Sequence, residues 1–370
     1  MMPAPIIGVV GLGTMGLGIA QVYAAAGFKV LATDAHEPAR LNALARLRAA
    51  LEPRVVKGAM TAAALEAIVA NLHIVGSPEA LGAANLIIEA ILETLPAKQS
   101  LFAALEAVVS PETVLATNTS SLSVTAIAGG LKHPERVVGL HFFNPATVMK
   151  LVELIAHPDT TKTALTLTRD VTETAGKIVI ACPDRPGFIV NRCARPFYGE
   201  ALALLDEGRS ASDIDAAMLA AGYRIGPLSL IDLIGADINL AATESMQTAM
   251  HHPRYHVFTA LKSQVAAGRL GRKSGQGFVF PDVPEAAPKD AADIALRIEA
   301  TLANEAAWLL SEGGVTAEGI DKALKLGLNF PRGPFEAAAL HGPAQVRMTL
   351  ERLEAAAPSH LKTRYLPPSA

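Results

Sequence analysis

Residues 6–34 read IIGVVGLGTMGLGIAQVYAAAGFKVLATD, and this stretch decides the fold of the N-terminal half of the chain. An apolar strand-like run, Ile6 to Val10, leads without a gap into a G-x-G-x-x-G loop that begins at Gly11. A helix-favouring segment, a second apolar run and then Asp34 follow, with Asp34 placed 23 positions after Gly11. Strand, glycine loop, helix, strand and acid in this order form the dinucleotide-binding fingerprint and predict a Rossmann-type fold.

Each part of this fingerprint has a chemical role toward a dinucleotide. The glycines let the backbone turn tightly and approach a pyrophosphate, whose charge is met by amides at the start of the helix, around Leu12 and Met15. Asp34 is suited to accept hydrogen bonds from the adenosine ribose and to repel a 2′-phosphate, which favours NAD over NADP. The alternative is a glycine-rich turn with a purely structural role. The predicted cofactor-binding residues of this segment are Gly11, Leu12, Gly13, Thr14, Met15, Gly16 and Asp34.

Apolar runs recur between helix-favouring segments and extend the sheet beyond the fingerprint. We expect further strands at 73–75, 86–89, 114–117, 137–140 and 150–155. This alternation predicts an α/β, doubly wound, mostly parallel sheet in residues 1–185. The Ala- and Leu-rich stretch at about 37–70 is expected to form a helical hairpin inserted after the second strand, with Arg54 and Lys57 on its exposed side.

A histidine and a glutamate occupy two consecutive predicted strands. Val137 to Leu140 leads into His141, and the next run carries Glu153 between two apolar residues. Burying that carboxylate costs several kcal/mol unless a partner is present, and His141 is the nearest candidate. Such a pair would act as a general base with an orienting carboxylate. The alternative is a core histidine and a glutamate on the wet face of an edge strand.

Polar residues cluster after several predicted strands, at 89–93, 118–121 and 141–144. Ligands of open parallel sheets bind outside the carboxyl ends of the strands, where these residues are expected to converge. Asn and Ser at such positions also serve as helix N-caps, so a structural role for each remains open.

Composition limits the classes of partner. The 370-residue chain has 32 Lys and Arg against 35 Asp and Glu, and it contains no basic block of the kind that binds nucleic acid or anionic membranes. No apolar run reaches the roughly 18 residues of a membrane span. Two cysteines, Cys182 and Cys193, suit free thiols in a reducing cytoplasm, with a disulfide as the formal alternative. Three histidines at 251, 252 and 256 lack Cys or carboxylate partners at ligand spacing, so no metal is expected.

From Pro186 onward the pattern changes to helices. Residues 187–207 predict one long helix that Pro196 should kink, and the Pro-rich stretch 281–290 is typical of a linker. The sequences before and after this linker repeat one another. EALALLDEG at 200–208 matches EAAWLLSEG at 305–313, Ile214-Asp215 matches Ile320-Asp321, and Gly226-Pro227 matches Gly333-Pro334. We therefore predict two helical repeats, at 186–284 and 285–370, packed about a pseudo-twofold axis.

Together these motifs resemble the L-3-hydroxyacyl-CoA dehydrogenase family. The likeness rests on GLGTMG with Asp34, EAILE ending at Glu93, NTSSL at 118–122, HFFNP at 141–145 followed by LVELI, PGFIVNR at 186–192 and GRKSGQGF at 271–278. It covers about three-quarters of the chain directly. It implies NAD-dependent oxidation of an (S)-3-hydroxyacyl-CoA to the 3-oxoacyl-CoA, a reaction of fatty-acid β-oxidation.

The resemblance also implies roles for individual residues. His141 would take the proton of the C3 hydroxyl, Glu153 would hold the imidazole, and Ser120 and Asn191 would position the substrate. Lys57 would attract the CoA phosphates, although this chain has Ala50 where some family members offer CoA a serine hydroxyl. The remaining residues that the resemblance places near NAD are Glu93, Lys98, Ser120, Asn144 and Lys273.

The resemblance bears on assembly and on the acyl group as well. Family members with a single C-terminal domain dimerise through it, so a second copy implies a monomer with an internal pseudo-dimer, or a different homo-oligomer. RPFYGEAL at 195–202 resembles both hydroxyadipyl-CoA and hydroxybutyryl-CoA enzymes, so the acyl group stays open. Arg192 and Arg195 are candidates to recognise a distal carboxylate, and the alternative is that they are surface helix residues.

Two other functions fit the sequence. A dehydrogenase of a free hydroxy acid or sugar acid would use the same His–Glu pair on this scaffold without CoA, and it would be indifferent to loss of the Lys57 charge. A non-catalytic NAD-binding protein is the alternative from another class. The joint presence of His141, Glu153, Ser120 and Asn191 speaks against that alternative.

Overall fold

The computed structural model describes residues 4–369. This part of the chain falls into two compact units, which divide between Arg185 and Pro186. The first unit is built on a β-sheet and the second consists of helices. None of the described helices is both long and apolar enough to cross a membrane.

A single sheet organises the first unit. Its strands are β1 Ile7–Val10, β2 Val30–Thr33, β3 Leu72–Ile74, β4 Leu86–Glu89, β5 Val114–Thr117, β6 Val137–Phe142, β7 Leu151–Ala156 and β8 Ile178–Pro183. They lie in the spatial order β3-β2-β1-β4-β5-β6-β7-β8. Neighbours are parallel except β6 and β7, which pair antiparallel. The order from β3 to β6 is that of a doubly wound dinucleotide-binding sheet, which confirms the predicted fold class.

Burial of the central strands explains their composition. Every residue of β1, β2, β4 and β5 is buried. Because successive side chains of a strand point to opposite faces of the sheet, both faces of these strands must be covered. Strands covered on both sides read as continuous apolar runs rather than alternating ones, as IGVV does here.

Helices connect the strands of the first unit, and they are α1 Thr14–Ala25, α2 Glu37–Val56, α3 Ala62–Asn71, α4 Leu95–Glu106, α5 Val124–Ala128 and α6 Lys162–Thr174. The predicted hairpin is present as α2 and α3. Arg48 donates to both carboxylate oxygens of Glu66 across it, at 2.5 and 2.8 Å. The side chain of Thr61 caps α3 by accepting the amide of Ala64 at 3.1 Å.

The second unit contains α7 Val190–Cys193, α8 Arg195–Asp206, α9 Ala211–Ala220, α10 Pro227–Ile234, α11 Ala236–Met250, α12 Thr259–Ala266, α13 Ala291–Ser311, α14 Ala317–Leu328, α15 Pro334–His341 and α16 Pro343–Ala356. The predicted single helix over 187–207 is wrong. The chain forms two helices with Ala194 between them, and Pro196 lies in the first turn of α8. A proline in the first turn costs nothing there, because its missing amide would have had no helical partner.

The structure distinguishes the two predicted states of the cysteines, thiols or a disulfide. Cys182 lies in β8 and Cys193 in α7, both are buried, and neither forms a disulfide. The alternative of a disulfide between them is therefore wrong for this structure.

Two parts of the second unit repeat the same local geometry. Asp215 of α9 accepts the amides of Leu228 and Ser229 at the start of α10, at 2.9 and 2.7 Å. Asp321 of α14 accepts the amides of Phe335 and Glu336 at the start of α15, at 2.8 and 3.2 Å. In both places a buried aspartate caps the next helix, directly after a Gly-Pro pair.

Two buried carboxylates join these parts in a reciprocal pattern. Glu305 accepts Arg192 Nε and Arg254 Nε at 2.8 Å each, and the Tyr255 hydroxyl at 2.5 Å. Glu200 accepts Arg297 Nε at 2.7 Å, Arg364 Nη2 at 3.4 Å and the Tyr365 hydroxyl at 3.1 Å. Arg192 also forms an ion pair with Glu312, and Arg297 also forms one with Glu207. Thus each of these two glutamates accepts hydrogen bonds from one arginine and from a consecutive Arg-Tyr pair, all in the other part.

Candidate active site

His141 and Glu153 form the pair that the sequence predicts. They are directly opposite in the antiparallel register of β6 and β7, so their side chains leave the sheet on the same face. His141 Nδ1 lies 2.7 Å from Glu153 Oε2. The carboxylate is fully buried, and 7% of the histidine is exposed. The ring of Phe143 packs against the imidazole with centroids 4.5 Å apart.

This geometry fixes which imidazole nitrogen carries the proton. An ionised carboxylate only accepts hydrogen bonds, so Nδ1 of His141 must donate to Glu153. In the neutral ring Nε2 is then the basic nitrogen, and a proton taken there creates an imidazolium whose charge Glu153 stabilises. The alternative of a glutamate on a wet edge strand is wrong, because β7 lies between β6 and β8 and Glu153 is buried.

The glycine loop between β1 and α1 fits a dinucleotide in three ways. Gly11 has φ +101°, and a Cβ atom there would lie 2.5 Å from the carbonyl oxygen of Ala90. At Gly16 a Cβ atom would lie 1.8 Å from the Gly11 carbonyl oxygen, so helix and loop approach more closely than any side chain allows. Around Gly13 a Cβ atom would meet nothing within 4 Å, which leaves open space at the N-terminus of α1. A tight turn, close packing and room for a pyrophosphate are the three roles of these glycines.

Asp34 closes this loop from the end of β2. Its Oδ2 accepts the Leu12 amide at 2.6 Å, and its Oδ1 accepts the His36 amide at 2.7 Å. The Leu12 amide is thus directed at Asp34 in this structure, and its contact with a pyrophosphate stays a prediction. The sequence could not show this, because the contact joins residues 22 positions apart. The anionic carboxylate remains at the position that contacts the adenosine ribose in this fold.

A network of charged residues lies beneath the ends of β4 and β5, and its contacts were not predicted from the sequence. The ammonium group of Lys98 is fully buried and lies 2.7 Å from Glu89 and 3.1 Å from Glu93. Glu89 is also fully buried and accepts the hydroxyl of Thr117 at 2.7 Å. Lys98 therefore neutralises two carboxylates, and its charge is not directed at solvent.

Glu93 carries this network to the loop after β5. It accepts the Thr119 hydroxyl at 2.6 Å and the Ser120 amide at 2.9 Å. Burial raises the pKa of Glu93, but these hydrogen bonds and the Lys98 charge outweigh burial and hold the pKa below its ordinary value. Glu93 is thus an anion that fixes the backbone of the exposed Ser120.

Asn118 links that loop to the histidine strand. Its side-chain oxygen accepts the Phe142 amide at 2.8 Å, so the end of β5 is tied to the end of β6 next to His141. The exposed Asn144 follows in the turn after β6. Ser120, His141 and Asn144 consequently lie at the same edge of the sheet as the glycine loop, as the strand-end clustering predicts.

The remaining predicted residues lie elsewhere. Lys57 is exposed at the end of α2, one residue after its last turn, and Ala50 is exposed on the same helix. Asn191 lies in α7 of the helical unit. Lys273, also in the helical unit, lies in the short 3₁₀ segment Arg272–Ser274 and donates to Asp237 at 2.7 Å.

The glycine-rich motif around Lys273 has a structural explanation. Asp232 of α10 accepts the amides of Phe278, Val279 and Phe280, at 2.8 to 2.9 Å. A Cβ atom at Gly277 would lie 2.0 Å from Asp232 Oδ1, so only glycine lets this carboxylate reach the backbone. One aspartate in the last turn of α10 therefore holds this motif.

These features define a class of protein: a dinucleotide-dependent oxidoreductase with a carboxylate-bonded histidine at the carboxyl edge of a doubly wound sheet. Sequence comparison identifies the family. Residues 6–185 match the NAD-binding domain of 3-hydroxyacyl-CoA dehydrogenase, and residues 187–280 and 294–369 match its C-terminal domain. The chain therefore belongs to the 3-hydroxyacyl-CoA dehydrogenase family and is an NAD-dependent oxidoreductase.

Individual relatives agree with this assignment. The chain is 46% identical over 274 residues to 3-hydroxyadipyl-CoA dehydrogenase of Escherichia coli K12, a match covering 73% of this chain and 58% of that relative's length. It is 38% identical over 274 residues to 3-hydroxybutyryl-CoA dehydrogenase of Clostridioides difficile, covering 74% of this chain and 98% of that relative. The crystal structure of a 3-hydroxybutyryl-CoA dehydrogenase from Escherichia coli K12 superposes with a TM-score of 0.91 at 33% identity, covering 100% of this chain and 97% of that one.

Proposed function

We propose that the protein oxidises (S)-3-hydroxyacyl-CoA esters to 3-oxoacyl-CoA esters, with His141 as the general base. The observation that carries this proposal is the 2.7 Å contact between His141 and Glu153 at the sheet edge that bears the glycine loop. His141 accepts the proton of the C3 hydroxyl at Nε2, and Glu153 holds the Nδ1 proton and stabilises the resulting imidazolium. Bound NAD supplies the acceptor for the hydride from C3.

The polar residues around this pair position the reactants. Ser120 and Asn191 are assigned to the substrate, and Glu93, Asn144 and Lys273 to the nicotinamide side of the cofactor site. Lys98 acts through Glu93, because its ammonium group is fully buried between Glu89 and Glu93. In this scheme Lys98 is a positioning residue that keeps Glu93 anionic and the Ser120 loop fixed.

Asp34 selects the cofactor. Asp34→Asn retains an acceptor for the loop amides but removes the negative charge that repels a 2′-phosphate. We expect the ratio of kcat/KM for NADPH to that for NADH to rise by about tenfold or more, since a charge-assisted hydrogen bond contributes about 1.5–3 kcal/mol. Steady-state kinetics with both nucleotides measure this ratio. An unchanged ratio would show that Asp34 serves only to close the loop.

The first test of the reaction is NADH oxidation with acetoacetyl-CoA, with free acetoacetate in a parallel assay. Turnover with the CoA ester alone supports the proposal, and turnover with the free acid alone favours a hydroxy-acid dehydrogenase. Tight NAD binding with no turnover in either assay favours a non-catalytic protein.

Lys57 provides the matched variant for the CoA portion. Lys57→Ala is expected to raise KM for acetoacetyl-CoA about two- to fivefold, because an exposed ion pair contributes up to about 1 kcal/mol. The control is the N-acetylcysteamine thioester of acetoacetate, which lacks the nucleotide phosphates and whose KM should not change. Equal effects on both thioesters would remove Lys57 from the phosphate site.

We also propose that the helical unit, with repeats at 186–284 and 285–370, is a duplication that forms an internal pseudo-dimer. The matched aspartate caps and the reciprocal glutamate clusters support this, since an isologous interface places the same contact on both sides. With an internal pseudo-dimer, the protein would be a cytoplasmic monomer or a homo-oligomer that assembles through another surface. Sedimentation equilibrium distinguishes the two.

A further inference from the structure

Two arginines of the helical unit were candidates to recognise a distal carboxylate, and the structure separates them. Arg192 is fully buried and donates to Glu305 and to both oxygens of Glu312. Burial lowers the pKa of Arg192, but these two glutamates outweigh it and hold the pKa above its ordinary value. Its charge is neutralised within the protein, so it has no capacity for a substrate carboxylate.

Arg195 has a different environment. It is also buried, with 9% of the residue exposed, so the alternative of a surface helix residue is wrong for both arginines. Its Nε donates to the Asn191 carbonyl at 3.1 Å, its Nη1 to the Thr243 hydroxyl at 3.3 Å, and its guanidinium lies 4.9 Å from the centre of the Tyr198 ring. All three partners are uncharged. Burial lowers the pKa of Arg195, and among the described residues Tyr198, not a carboxylate, is what opposes the effect.

The position of Arg195 is as informative as its charge. Side chains of a helix lean toward its N-terminus, and Arg195 accordingly reaches back to the carbonyl of Asn191, one turn earlier. Asn191 is the residue of this unit that the proposed function assigns to the substrate. Arg195 therefore places a cation within one helical turn of that residue.

The second half of the helical unit serves as an internal control. Arg192 and Glu200 have counterparts 105 positions later, Arg297 and Glu305, which makes Ala300 the counterpart of Arg195. Gly235 and Gly342, both at positive φ, directly precede α11 and α16 and are 107 positions apart. By that spacing Leu350 is the counterpart of Thr243. The second half of the helical unit thus folds with apolar residues at these two positions.

Tyr198 and Thr243 hold the guanidinium without neutralising it. The aromatic face of Tyr198 attracts the cation, and the hydroxyl of Thr243 donates to Asn239 while it accepts from Arg195. Burying a charge without a counter-ion costs stability, which makes Arg195 a candidate functional residue. A carboxylate would complete the set, since the planar guanidinium binds one through two parallel hydrogen bonds.

We propose that Arg195 recognises a carboxylate at the far end of the acyl chain, so that the preferred substrates are 3-hydroxyacyl-CoA esters of dicarboxylic acids. This inference rests on the proposed function. Its chemistry would also fit a phosphate of CoA, and the test separates the two anions.

The test compares two CoA esters of equal chain length, 3-oxoadipyl-CoA and 3-oxohexanoyl-CoA, which differ in a terminal carboxylate against a methyl group. The wild-type protein should favour the carboxylate ester in kcat/KM. Arg195→Met should lower that preference by roughly 10- to 100-fold, the range for one charge-assisted hydrogen-bonded pair. Arg195→Lys keeps the charge but loses the planar pair of N–H donors. Its preference for the carboxylate ester should therefore lie between those of the wild-type protein and Arg195→Met.

Further comparisons distinguish the possible outcomes of this experiment. A loss that is equal for both esters, and absent with their N-acetylcysteamine analogues, would assign Arg195 to a CoA phosphate and overturn the proposal. No preference in the wild-type protein would also overturn it. If Arg195→Met does not fold, as judged by circular dichroism, Thr243→Val is the second variant. It removes the hydroxyl that holds Arg195 Nη1 and should by itself lower the preference for the carboxylate ester. Absence of wild-type turnover with acetoacetyl-CoA would instead reject the underlying function.

Discussion

Replacing His141 with glutamine is expected to lower kcat by about 10³- to 10⁴-fold while leaving the dissociation constant for NADH within about twofold of the wild-type value. A positioned general base contributes up to about 10⁴-fold, and glutamine cannot accept the proton. The NADH site is unaffected because the glycine loop and Asp34 are held by their own contacts. Single-turnover kinetics and fluorescence titration with NADH measure the two quantities.

Glu153→Gln is the matched variant within the same pair. It removes the charge that stabilises the imidazolium but keeps the shape of the side chain, so kcat should fall less, by about 10²-fold. The double variant should be no slower than His141→Gln, since an orienting carboxylate has no function without its histidine. Additive losses would mean that Glu153 acts independently of His141, and retained activity in His141→Gln would remove it as the base.

The parts of this site that were predictable from sequence are those set by local pattern and register. The glycine loop is contiguous, and its three glycines are spaced by the geometry of one turn. His141 and Glu153 lie on consecutive strands joined by a short loop, so strand pairing alone makes their contact plausible. A doubly wound sheet then brings Ser120 and Asn144 to the same edge.

The residues that escaped prediction depend on contacts between distant segments. Lys98 and Glu93 were assigned to the cofactor by resemblance, and only the structure shows Lys98 completely buried beside Glu89. The strand β8 was not predicted, and it differs from the central strands in being a partly exposed strand at the edge of the sheet. Likewise the sequence left Arg192 and Arg195 equivalent, since their difference lies in glutamates more than a hundred positions away.

The reciprocal clusters of the helical unit connect the predicted repeat to stability. The sequence repeat predicts matching helices, and the structure adds that each matched glutamate is buried beside cations of the other half. A buried carboxylate between two arginines contributes little net free energy while intact, because desolvation offsets attraction. Removing Glu305 leaves the buried Arg254 without a carboxylate, while Arg192 keeps Glu312, and the large cost arises at Arg254.

Glu305→Gln is therefore expected to lower the free energy of unfolding of the helical unit by about 3–5 kcal/mol, because Arg254 loses its carboxylate and Arg192 retains only Glu312. Glu200→Gln should have a similar cost, since Arg297 and Arg364 are placed in the same way. The control is Glu207→Gln, whose side chain is 55% exposed and whose ion pair should contribute less than about 1 kcal/mol. Urea unfolding followed by circular dichroism measures all three. A cost for Glu305→Gln no larger than that for Glu207→Gln would mean that the clusters do not hold the two halves together.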